Sequence, residues 1–195
     1  MIAFFDTETT GLLKFKEHND HPDQPYLVEL YIVLDDENRK TVATYHTQVR
    51  PEEWEIPQEA SNIHGISTDM AKQYGSNAKY VIKHACGLFA MAKTIVGHNS
   101  SFDKRVMQIM GHKIKGRPAV DKVFAERDVA CTMRSTTDLC KIASPRGFKW
   151  PKLAEAASIL LGVELKDAHT AAADTLMCRD VYYWLIDNKK KVVTL

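Results

Sequence analysis

Disulfide and metal-thiolate spacings are missing from this chain. Its four cysteines, Cys86, Cys131, Cys140 and Cys178, contain no C-x-x-C pair. Nothing ahead of the first apolar run has the length of a signal peptide, so the reading is of reduced thiols in a cytoplasmic protein. Long hydrophobic runs are missing too: none approaches the roughly 20 residues of a membrane span. Nor does charge of one sign dominate. Lys plus Arg number 26 and Asp plus Glu 25, leaving +1. That excludes a global basic field, so a nucleic acid would have to bind through a local patch or through bound metal. Repeats, low-complexity tracts and an interdomain linker are also absent. Hydrophobic residues at 45% and charged residues at 26% are ordinary globular values, and 195 residues read as one domain spanning 1–195.

What is present begins with the first eleven residues. Ile2, Ala3, Phe4 and Phe5 predict a buried strand ended by a turn at Gly11. Strand side chains alternate, so Asp6 and Glu8 share the face of Ile2 and Phe4. Two carboxylates closing an apolar strand repel each other and resist desolvation, and a divalent cation between them would relieve both costs. Leu12 to Pro25 reads as a solvated loop in spite of His18 and His21. Tyr26 to Leu34 and Thr41 to Val49 read as a hairpin. Ser67 or Thr68 caps a short helix after Ile63-His64-Gly65-Ile66. Ala78 to Ala92 is a helix, Thr94 to Gly97 a strand, and Phe102 to Met110 a helix capped by a serine. Gly111 to Pro118 is a basic loop, Val129 to Cys131 a short strand, and Met133 to Ile142 a helix. Pro145 to Lys149 is a loop. A helix from Pro151 to Leu161 stops at Gly162, and the last runs from about Thr170 to Asn188.

Two further acids occupy unexpected faces. With about 100° per residue, Met107 and Met110 fall within about 40° of Asp103, which places this acid in an apolar stripe. On the last helix, Val181 and Leu185 lie within about 20° of Asp174, while Arg179, Asp180 and Asp187 point away. A buried, unpaired carboxylate costs several kcal/mol, so Asp174 calls for a cation partner. Four acids from three elements make a divalent-metal site the economical reading. His169 stands about 140° from Asp174 and approaches it only from ahead of the helix.

Taken together, these segments resemble the DnaQ-like, DEDD-type 3′→5′ exonucleases whose third motif contains histidine. Phe5-Asp6-Thr7-Glu8-Thr9-Thr10-Gly11 resembles the first motif, His98-Asn99-Ser100-Ser101-Phe102-Asp103 the second, and His169-Thr170-Ala171-Ala172-Ala173-Asp174 the third. Secondary likenesses are Ile63 to Ile66, Cys131 to Arg134 and Lys149 to Ala154. The chain departs in a longer loop after Leu12 and in Val28-Glu29-Leu30-Tyr31, where Ile-Glu-Ile-Gly is commoner.

The resemblance implies an α/β, RNase H-like fold: a mixed five-stranded sheet flanked by helices, with the first strand central. It implies two Mg²⁺ or Mn²⁺ ions held by Asp6, Glu8, Asp103 and Asp174, with neutral His169 as general base. Thr9, Thr10 and Leu12 would line a terminal-nucleotide pocket, Phe102 would pack on the sugar, His64 would contact the strand near the terminal base and Asn99 would support the second motif. Lys104, Lys113, Lys115, Arg117, Arg146 and Lys149 are candidate backbone contacts. The implied activity is release of nucleoside monophosphates from single-stranded or frayed 3′ ends of DNA. The alternatives are RNA 3′-trimming and a non-catalytic nucleic-acid-binding module, and the latter needs no repulsive acid cluster. The chain ends soon after its last helix, so a stand-alone enzyme is the expectation; a polymerase or another replication protein is the protein partner left open.

Overall fold

A computed structural model describes residues 1–115, 117–164 and 170–195. The opening apolar run is β1 (Ile2–Thr9), and the hairpin is β2 (Leu27–Asp35) with β3 (Thr41–Gln48). Next come α1 (Gln58–His64), α2 (Thr68–Tyr74), α3 (Ala78–Met91), β4 (Thr94–Gly97) and α4 (Ser100–Lys113). They are followed by α5 (Arg117–Ala125), β5 (Asp128–Cys131) and α6 (Thr132–Cys140). A small hairpin of β6 (Ala143–Ser144) and β7 (Gly147–Phe148) precedes α7 (Leu153–Leu161), α8 (Ala171–Asp187) and β8 (Val193–Thr194).

The main sheet runs β3-β2-β1-β4-β5-β8, so β1 is central as expected. β1 pairs antiparallel with β2 and parallel with β4, which in turn is parallel to β5. Among the described residues the sheet has six strands rather than five. The sixth is the two-residue β8, which pairs antiparallel with Ala130 and Cys131 and is too short for its alternation to be read. It is an α/β sheet of the RNase H-like kind, flanked by helices.

Alternation along β1 builds two cores. Phe5 faces one side and meets Phe89 edge-on at 5.0 Å, in a cluster that includes Ile95, Met107 and Val120. Phe4 faces the other side, edge-on to Tyr182 at 5.5 Å, with Val96, Cys178, Val181 and Leu185. Burying such a side chain is worth about 1.5–3 kcal/mol, so these two faces fix how α4 and α8 flank the strand.

Several predicted boundaries need correction. α1 is a helix that the sequence pattern does not predict; Pro57 precedes it and Gly65 ends it in a left-handed conformation, donating to the Ser61 carbonyl. α5 begins inside the predicted basic loop and buries Val120, Val123 and Phe124, which recur at helical spacing. α4 starts earlier than expected: its cap is Asn99 in a left-handed conformation, without a side-chain capping bond, rather than a serine. The predicted Pro145–Lys149 loop contains β7. The loop over 12–25 is also more anchored than a solvated loop. Gln24 is buried and donates to the Lys14 and His18 carbonyls, while Arg105 reaches the Glu17 carbonyl and Asn19.

Candidate active site

Because β1 and β4 are parallel neighbours, their carboxyl ends open onto one edge of the sheet, the usual place for a site in such sheets. Asp6 and Glu8 leave β1 there, on the face of Phe4 against which α8 packs. Asp174 arrives in the first turn of α8, whose cap is the Thr170 hydroxyl accepting from the Ala173 amide. A carboxylate in that first turn is favoured by the helix dipole. One carboxylate oxygen from each of Asp6, Glu8 and Asp174 lies within 4.8 Å of the others.

Asp103 comes from α4 on the opposite face, also in a first turn, and is only 3% exposed. Its Oδ1 accepts from the Thr7 amide (3.2 Å) and the Thr7 hydroxyl (2.7 Å). Thr7, between the two β1 acids in sequence, points the other way and ties α4 to the strand.

The acids are electrostatically uncomfortable together. Burial raises Asp6 well above the usual carboxylate range, and the charges of Asp103, Asp174, Glu8 and Glu29 raise it further. Glu8 is pushed up to about 8, first by burial, then by Asp174, Glu29 and Asp103. Burial raises Asp103 to about 7 against the hydrogen bonds from Thr7, which lower it. An all-oxygen, mutually repelling donor set fits a hard divalent cation such as Mg²⁺ or Mn²⁺.

Sequence reasoning assigned Glu29 no role. The β1–β2 register sets it opposite Glu8, and it is almost fully buried. Its Oε2 accepts from the Ala171 amide at 3.1 Å, and its Oε1 accepts from His46 Nε2 at 2.8 Å. Glu29 therefore holds the amino end of the helix that carries Asp174. The available signal was an acid between the apolar Val28 and Leu30 of a strand.

Beside the acids lies a cleft of about 460 Å³ bounded by Thr9, Thr10, Leu12, His64 and Phe102. α1 supplies its far wall through Ala60, Ile63 and His64. Leu12 is 85% exposed at the rim. The Thr10 hydroxyl accepts from the Tyr26 amide (2.9 Å) and Thr9 Oγ1 donates to the Gly11 carbonyl (2.7 Å). His64 Nδ1 accepts from the Ile66 amide, and burial lowers its pKa. Asn99 is not on the cleft wall; it forms the turn into α4, its carbonyl accepting from the Phe102 amide. His169 and the Arg117 side chain lie outside the described residues.

Residues 3–182 match the sequence model of a family described as Exonuclease. No curated protein matches the sequence. Among solved structures, Escherichia coli Exonuclease I in complex with a dT13 oligonucleotide superposes with a TM-score of 0.74 at 18% identity, over 94% of this chain and 40% of that one. The same enzyme with a dA16 oligonucleotide gives 0.75 at 18% over 95% and 40%. Its zinc-ion-bound form with single-stranded DNA gives 0.74 at 20% over 96% and 40%. The chain thus spans two fifths of the length of these structures, and at such identities the likeness is one of fold.

Proposed function

The chain belongs to this exonuclease family, the DnaQ-like group that its three motifs resemble, and from that premise we propose that it is a metal-dependent 3′→5′ exonuclease. Its substrate is the single-stranded or frayed 3′ end of DNA, released as nucleoside monophosphates. The observation that carries this reading is the carboxylate group of Asp6, Glu8 and Asp174 opening beside a nucleotide-sized cleft. The Exonuclease I structures that share the fold are described as complexes with single-stranded DNA, which supports DNA over RNA and offers no support for a polymerase partner. Four free cysteines fit a reducing, cytoplasmic compartment, and no described helix is long and apolar enough to cross a membrane.

Asp6, Glu8, Asp103 and Asp174 would hold two Mg²⁺ or Mn²⁺ ions. The chemistry such ions would supply there is activation of a water and stabilisation of charge on the leaving 3′-oxygen. Thr7 keeps one Asp103 oxygen engaged, and Glu29 fixes the helix that presents Asp174. Neutral His169 takes the proton of the attacking water. Thr9, Thr10 and Leu12 seat the terminal nucleoside, Phe102 packs on its sugar, His64 lies along the wall toward the base, and Asn99 shapes the second-motif turn.

Time courses on matched 3′- and 5′-labelled DNA and RNA oligonucleotides with Mg²⁺ test the reading. Mononucleotides should appear first from 3′-labelled DNA, and a closed single-stranded circle should survive. Efficient cutting of the circle would replace the reading with an endonuclease; faster loss of RNA would replace DNA as the substrate.

A further inference from the structure

Residues 141–152 include Lys141, Arg146, Lys149 and Lys152 and no acid, a local basic concentration in a chain whose net charge is +1. The β6–β7 hairpin gives this segment its shape. Ser144 Oγ donates to the Gly147 carbonyl (3.0 Å) and the Lys149 amide to the Ile142 carbonyl (2.9 Å). Gly147 turns at φ 108°, a backbone region that favours glycine. Two large aromatics are left outside: Phe148 is 47% and Trp150 60% exposed. The Arg134 guanidinium stands 5.8 Å from the Trp150 ring centre, adding a cation to the ring. Lys149 pairs with Glu155.

This patch is fastened to the candidate active site. The carbonyl of Pro151, next to Trp150, accepts from His98 Nε2 at 3.0 Å. His98 Nδ1 accepts from the Thr132 hydroxyl at 2.9 Å, and that oxygen lies 3.4 Å from Cys178 Sγ, one turn beyond Asp174 on α8. His98 also opens the turn that leads to Asp103. Burial pushes its pKa down to about 4, so it stays neutral and keeps this tautomer around neutral pH. The patch therefore keeps a fixed relation to both helices that carry acids.

Resting on the exonuclease reading above, we propose that Phe148 and Trp150, with Arg134 and Arg146, form a stacking platform for the bases upstream of the 3′-terminal nucleotide of a single strand. Every base has a face that stacks on an aromatic ring, and the surrounding cations meet the phosphates between them. The β6–β7 platform and the cleft at Leu12 then engage different nucleotides of one strand.

The test is binding of a fluorescein-labelled thymidine oligonucleotide of about twelve nucleotides to the full chain, with Ca²⁺ replacing Mg²⁺, read by anisotropy. Trp150→Ala should raise Kd about tenfold or more, and Trp150→Phe should recover most of the loss. Tyr74→Ala, an exposed aromatic elsewhere, should bind like wild type. In kinetics with Mg²⁺, the kcat/KM advantage of the long strand over a thymidine dinucleotide should shrink in Trp150→Ala. Should Trp150→Ala fail to fold, Arg146→Glu should weaken binding and flatten its salt dependence. Unchanged affinity in these variants, or equal loss on long and short substrates, overturns the platform. A wild type that binds the strand through Trp150 yet degrades neither substrate overturns the exonuclease reading and leaves the platform standing.

Discussion

At the scale of single residues, Glu29 and His169 make opposite predictions. Glu29 acts through its neighbours; it holds the first turn of α8 and adds negative charge beside Asp6 and Glu8. Glu29→Ala should lower stability by about 1–3 kcal/mol, because the Ala171 amide loses its acceptor. It should lower kcat more than it raises KM, and Glu29→Gln should restore most of kcat. With the charge gone, Asp6 and Glu8 ionise more readily, so the acidic limb of activity should move to lower pH in the Gln variant. Wild-type kcat in Glu29→Ala would remove its positioning role. The proposal that His169 is a general base and not a ligand predicts otherwise. His169→Ala should lower the single-turnover rate about 10²–10⁴-fold with metal affinity near wild type by calorimetry. An unchanged rate would exclude it as the base. The faces of Asp6, Glu8 and Asp174, which the structure brings together, were legible in sequence because strand parity and helix faces are local properties. Glu29 was not, because its role depends on the β1–β2 register and on where α8 docks.

Among the elements, α8 has the most to hold in place. Asp35 at the end of β2 is fully buried; its Oδ2 accepts from Arg179 Nε (2.6 Å) and from the Tyr183 hydroxyl (2.8 Å). The Thr41 hydroxyl donates to its Oδ1, and Arg39 of the β2–β3 turn grips Asp187 near the helix end. Removing one partner of a buried ion pair leaves an uncompensated charge, so Arg179→Ala should destabilise by about 3 kcal/mol or more in urea unfolding. A loss within about 0.5 kcal/mol would mean that apolar packing alone seats α8. Long elements such as β1, β2, α3 and α8 were readable from periodicity. α1 and α5 were not assigned although a proline marks the start of each, because each is only two or three turns long and each sits in a polar stretch. The pair β6–β7 and strand β8 have two residues apiece, too few to carry any pattern.

For the whole molecule, the acid cluster couples folding to metal and pH. The folded-state pKa values of Asp6, Glu8 and Asp103 are raised, so their contribution is present below the ordinary carboxylate range and is lost as pH rises toward about 7 for Asp103 and about 8 for Glu8. A divalent cation held there would bind the ionised forms and reverse that loss. The difference in Tm between metal-loaded and chelated protein should therefore widen from about pH 5 to about pH 8. His98 has the opposite sign: its lowered pKa costs stability as pH falls through about 4. That effect is common to both forms and leaves the difference unchanged. A constant difference across this range would place the metal away from these acids.

Asp6, Glu8, Asp103 and Asp174 are proposed to form a metal site at which nucleotides are removed from a 3′ end. One experiment meets this claim directly: the product ladder from 5′-labelled single-stranded DNA, run for wild type and Asp174→Asn with Mg²⁺ and with EDTA, each protein first shown to be folded by circular dichroism. Shortening from the 3′ end only in wild type with Mg²⁺ is the predicted result. A ladder from chelated wild type, or from Asp174→Asn at the wild-type rate, would contradict the claim.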